Sequence, residues 1–194
     1  MTVVRYLTHP HVRIDPAVPV PLWGLSAEGR ACTEALARAR WLTGTTRVVA
    51  SAESKAQETA AVLAAALGVA VETRAAMHEN DRSATGFLPP DAFEAVADAF
   101  FAQPETSVRG WERAVDAQAR IVGEAEAVLA VETRGDILFV GHGAVGTLLY
   151  CHYAGLAIAR THDQPAGGGH YFSLLRQGRR VLHPWRRMEQ PPPR

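Results

Sequence analysis

The stretch Asp136-Ile137-Leu138-Phe139-Val140-Gly141-His142-Gly143 decides the fold. Ile137 to Val140 is an unbroken apolar run, which suits a strand buried on both faces of a parallel sheet covered by helices. An apolar helical stretch, 144–153, follows at once, so the chain passes from strand to helix through Gly141-His142-Gly143. A second run of this kind opens the chain: Val3-Val4-Arg5-Tyr6-Leu7, ending at Thr8-His9-Pro10.

Working outward, the segment between these two strands alternates. Residues 10–24 carry prolines at 10, 16, 19 and 21 and read as a loop. Ser26 is a candidate N-cap for a helix to about Leu42, stopped by Thr43-Gly44. Arg47 to Ser51 is a short strand. Ser54 can cap a helix from Lys55 to Leu67, which Gly68 terminates, and Val69 to Glu72 is a third strand. After an irregular segment, 74–90, come helices at 91–101 and 111–131, and closing strands at 170–175 and 180–182. This order predicts a three-layer α/β/α domain with a mostly parallel central sheet over residues 1–188, followed by a proline-rich tail at 189–194.

Composition narrows the function. The 194 residues carry 20 basic and 20 acidic side chains, so the basic excess expected of a nucleic-acid or anionic-membrane partner is missing. No apolar run reaches the ~18–20 residues of a membrane helix, and no basic leader precedes an apolar segment at the N-terminus. The reading is a cytoplasmic protein. Cys32 and Cys151 form no CxxC pair and read as packed, reduced thiols. Oligomeric state is not legible.

In open α/β sheets, ligands sit outside the carboxyl ends of the strands. Those ends carry Thr8-His9, Ser51 to Lys55, and Gly141-His142-Gly143, with Glu79 to Arg82 shortly after the third strand. A parallel sheet brings them to one edge. Glycines beside His142, including Gly143, let backbone approach a ligand, and the following helix offers free amides to an anion. A lone strand-end histidine is usually structural, but two at the ends of parallel strands point to a shared site.

These motifs, in this order, resemble the histidine phosphatase superfamily, which includes the phosphoglycerate mutases. That family opens with a strand and Arg-His-Gly, where this chain has Thr8-His9-Pro10. Its Leu-Thr-x-x-Gly helix start is matched by Leu25-Ser26-Ala27-Glu28-Gly29, and its Ser-x-x-x-Arg segment by Ser51-Ala52-Glu53-Ser54-Lys55. Glu79 stands where the family has an acid, and Gly141-His142-Gly143 where it has Gly-His-Gly. Gly110-Trp111-Glu112, with Arg120, resembles its Gly-Glu-Ser segment.

The resemblance implies a phosphoglycerate mutase-like fold and a phosphatase that hydrolyses a phosphate monoester through a phosphohistidine, without metal or other cofactor. His9 would be the nucleophile, Glu79 the acid with Asp81 in reserve, and His142 a partner of the phosphoryl oxygens. Thr8, Lys55 and Gly143 fall at phosphate-binding positions, and the substrate would be a small phosphorylated molecule. Thr8 and Lys55 stand where the family has arginines. A phosphoryl group favours bidentate donors, which neither supplies. Arg82, Arg13 and His11 are the nearest replacements, with Arg82 favoured for its closeness to Glu79. The departures leave open a pseudo-phosphatase that binds without turnover. A metal hydrolase built on His9, His11, His142 or His152 is a third reading.

Overall fold

In the computed structural model, which describes residues 1–132 and 134–193, the opening run forms β1 (Val3–Thr8) at the heart of a six-stranded sheet. In chain order come α1 (Ala27–Ala37), β2 (Thr45–Ser51), α2 (Ser54–Leu67), β3 (Val71–Arg74), α3 (Pro90–Ala102), α4 (Ala114–Ala130), β4 (Asp136–Gly141), α5 (Gly143–Ala154), β5 (His170–Leu175) and β6 (Val181–Arg187). The sheet order is β3-β2-β4-β1-β5-β6. β1 to β4 run parallel, while β5 is antiparallel to β1 and β6 to β5.

Strand alternation builds the layers. Successive side chains point to opposite faces, and β4 divides accordingly. Ile137 and Phe139 pack with Phe100, Ile121 and Leu148 of α3, α4 and α5. Leu138 and Val140 pack with Leu36, Ala60 and Leu63 of α1 and α2. The architecture is therefore the α/β/α sandwich read from the sequence, with a mostly parallel sheet.

Five boundaries move. α1 stops at Ala37 instead of running to Leu42. A 3-10 turn at Arg40–Leu42 then buries Leu42 and stacks Trp41 on Tyr171, with centroids 4.6 Å apart. α2 is preceded at its N-cap by Glu53, not Ser54, and no side chain caps it. Gly68 takes the left-handed conformation and Val69 N–H bonds back to Ala64, so β3 starts two residues late. α4 begins at Ala114, because a turn at Val108–Gly110, with Gly110 at φ 80°, delivers Trp111 into the core. β6 runs on through Pro184, which an edge strand tolerates. Of the tail expected at 189–194, Arg194 lies outside the described residues, and Gln190 accepts a hydrogen bond from Tyr171 Oη.

Candidate active site

The β1–β4 register pairs Thr8 with Gly141. The residue after each is a histidine, so His9 and His142 emerge side by side at the carboxyl edge, their ring centroids 5.3 Å apart. His9 N–H bonds to Gly141 O at 3.0 Å and holds that register to the last residue.

Each ring is fixed. His9 Nδ1 lies 2.9 Å from the carbonyl of Pro10. A carbonyl only accepts, so Nδ1 carries the proton and Nε2 keeps a lone pair. Burial lowers the His9 pKa to about 4, so the ring is neutral at pH 7. His142 is fully buried, which pushes its pKa well down despite the nearby Glu53 carboxylate. Its Nε2 lies 2.8 Å from Ser51 Oγ at the end of β2, and its Nδ1 has no partner among the described residues. Tyr6 Oη brackets the His142 backbone, accepting from its N–H and donating to its carbonyl.

The glycines beside His142 answer to the protein's own side chains. A Cβ on Gly141 would come within 2.2 Å of Tyr6 Oη, and one on Gly143 within 2.7 Å of Gln164 Nε2.

Glu79 follows the 3-10 turn Ala75–Met77 after β3. Its carboxylate accepts from the amides of Ala144 and Val145 in the first turn of α5, at 3.2 and 3.0 Å. The anion expected at this helix N-terminus is therefore the protein's own. Arg120 locks the Glu79 segment. It donates to the carbonyls of Ala76, His78 and Glu79 and pairs with Glu112 at 2.7 Å. The Glu112 and Arg120 motif thus acts as a clamp on the candidate acid.

The two positions that stand in for arginines are both engaged. Thr8 is fully buried. Its hydroxyl donates to Gln164 Oε1 at 2.6 Å and accepts from His170 N–H at 3.0 Å. Lys55, 3% exposed, donates to Val20 O at 2.9 Å and is ion-paired with Glu53. Glu53 also accepts from the Glu79 amide at 2.9 Å and lies 3.6 Å from His142 Nε2. Its carboxyl is held at about 2, because the imidazole, the ammonium and two hydrogen bonds outweigh the cost of burial.

A cleft of about 710 Å³ opens over this edge, lined by Pro16 to Pro21, Glu53, His78 to Ser83, Gly86 and Phe87. Arg82 lines it half-buried, stacked over Phe93 at 5.0 Å and Trp111 at 5.6 Å. Its guanidinium has no ion-pair or hydrogen-bond partner among the described residues. Arg13 is exposed and does not line the cleft, and His11 faces Glu28 at 3.7 Å. Among the described residues, no three His, Cys, Asp or Glu side chains converge as a metal site, and no helix is long and apolar enough to cross a membrane.

Sequence reasoning overlooked Glu53 and Gln164. Glu53 carried a signal, a carboxylate two residues before a lysine at a strand end. Gln164 lies 156 residues from its partner Thr8 and carried none.

A sandwich of this strand order, with two histidines paired at the carboxyl edge of adjacent parallel strands, defines the phosphoglycerate mutase-like class. The model of the histidine phosphatase superfamily (branch 1) matches residues 20–181, and the chain belongs to that family. The match begins after Thr8-His9-Pro10. No curated protein matches the sequence. Among solved structures, the chain is similar to mycobacterial glucosyl-3-phosphoglycerate phosphatase, at 19% identity and TM-score 0.75, covering 95% of this chain and 96% of that one. It is also similar to Bacillus stearothermophilus YhfR, at 16% and 0.79, covering 95% of each. A third is Entamoeba histolytica phosphoserine phosphatase, at 15% and 0.69, covering 90% and 91%. At these identities the likeness concerns the fold.

Proposed function

We propose that this protein is a metal-independent phosphatase that hydrolyses a small phosphate monoester through a phosphohistidine at His9. The observation that carries the reading is the tethered ring of His9: Nδ1–H is committed to Pro10, Nε2 is unprotonated, and His142 stands beside it. In the first step Nε2 attacks phosphorus in line, the N–P bond forms and the ester P–O bond breaks. Glu79, after taking up a proton from solvent, passes it to the departing oxygen. In the second step water attacks phosphorus, Glu79 takes a proton from it, and the N–P bond breaks to release phosphate.

Charge on the transferring group must be met by protein donors. His142 supplies one: in the tautomer whose Nε2 accepts from Ser51, its Nδ1–H, which has no partner among the described residues, is a buried donor beside His9. Arg82 supplies a guanidinium that lines the cleft and has no ion-pair or hydrogen-bond partner among the described residues, in place of the roles expected of Thr8, Lys55 and Arg13. Asp81 bonds the Ser83 amide at the surface.

A second reading is favoured by one feature. Lys55 is neutralised by Glu53 and Thr8 is turned into the protein, which fits a pseudo-phosphatase that binds without turnover. An aryl phosphate, assayed in EDTA with wild type and His9→Ala, separates the two. The phosphatase reading predicts turnover that survives chelation and is lost in the variant. Absence of wild-type turnover across a broad phosphate panel contradicts it.

A further inference from the structure

We infer that Glu53 sets which anions this site accepts, because its carboxylate occupies a place that an oxygen of a bound phosphoryl group would otherwise take. The inference rests on the reading that the phosphoryl group sits between His9 and His142.

Three groups converge on Glu53 from three elements. Two of them donate, the Lys55 ammonium of α2 and the Glu79 amide after β3, and the third, the His142 ring after β4, packs 3.6 Å away. A cation and a backbone N–H are donors that an anion requires. The carboxylate that takes both is 8% exposed and lines the cleft, so it lies at the boundary between the histidines and the space a substrate enters. Its depressed pKa of about 2 keeps it charged at any physiological pH. Helix capping does not explain its position, since its side chain bonds no amide of α2.

The charge count carries the consequence. Lys55, behind the cleft, is paired with Glu53, and Arg82 shares the cleft lining with Glu79 and Asp81, so positive charge is not in excess. A dianionic phosphate then meets a carboxylate of its own sign at Lys55 and must displace it. Affinity has to come from elsewhere, and the prolines of 16–21 with Phe87, which packs on Trp23 at 5.7 Å, offer an apolar wall to the rest of the substrate. Glu53 therefore discriminates against bare inorganic anions and favours a monoester whose alcohol is apolar.

Orthovanadate and inorganic phosphate are the probes, titrated calorimetrically against wild type, Glu53→Gln, and the double variant Glu53→Gln/Lys55→Gln. Glutamine keeps the size and acceptor of Glu53 and removes its charge. The expected result is tighter binding by Glu53→Gln, on the order of tenfold or more, the effect of one neighbouring charge on an ionic equilibrium. The double variant is expected to lose that gain, because the freed ammonium is its source. Equal or weaker binding by Glu53→Gln, or a gain that persists without Lys55, overturns the inference. A crystal structure of wild type with vanadate needs no variant: the Glu53–Lys55 contact should be broken, and vanadate beside His9 with that contact intact overturns it too. Tighter vanadate binding with no turnover by any form leaves the inference standing and sinks the phosphatase. Turnover through His9 with unchanged vanadate affinity does the reverse.

Discussion

At His9, one hydrogen bond and one burial set the chemistry. The Pro10 carbonyl fixes the tautomer, and burial lowers the pKa to about 4. An NMR titration of the ring, assigned by its loss in His9→Ala, should place the transition near pH 4. A transition at or above 6.5 would contradict the account. The same shift has a thermodynamic side. The unfolded ring takes up its proton near 6.5 and the folded ring only near 4, so acidification across that window favours unfolding. The melting temperature should therefore fall from pH 6.5 to 4, less steeply in His9→Ala. Arg82 is the other residue with a defined test. Arg82→Met keeps an apolar side chain over Phe93 and Trp111 and removes the charge. KM for an aryl phosphate should rise about tenfold, the ~1.5 kcal/mol of one charge-assisted hydrogen bond. An unchanged KM would remove Arg82 from the site.

At the scale of the elements, Glu79 and α5 depend on each other. The carboxylate holds the Ala144 and Val145 amides, so Glu79→Ala leaves the first turn of a buried helix without its acceptor. Urea unfolding should show a loss of about 1–3 kcal/mol, with Glu79→Gln losing less, because its carbonyl oxygen still accepts. Both variants should be poor catalysts if Glu79 is the acid, whereas a purely structural Glu79 would let Glu79→Gln keep its rate. This scale also shows what the sequence could carry. The apolar run Ile137 to Val140 and the β-branched Val3-Val4 marked their strands. Periodicity could not foresee that Leu42 and Trp41 do better as a buried turn than as a last turn of α1. Nor could it foresee that Pro184 is harmless, since edge position is a property of the assembled sheet.

For the whole molecule, strand order does the gathering. The order β3-β2-β4-β1 brings Ser51, His142 and His9 to one edge, and the loop after β3 carries Glu79 to the first turn of α5. That gathering was legible, because parallel strands joined by helices leave their carboxyl ends together. What surrounds the histidines was not. Thr8 and Lys55 occupy positions that the resemblance assigns to phosphate, yet Gln164 and Glu53 claim them, through contacts that no local pattern encodes. The central claim is that His9 carries the phosphoryl group. Rapid quenching with an aryl phosphate or phosphoramidate, followed by peptide mass spectrometry under alkaline conditions, tests it most directly. The account predicts one acid-labile phosphoryl group on the peptide containing His9, absent in His9→Ala. Turnover with no such adduct, or a label on any other residue, would contradict it.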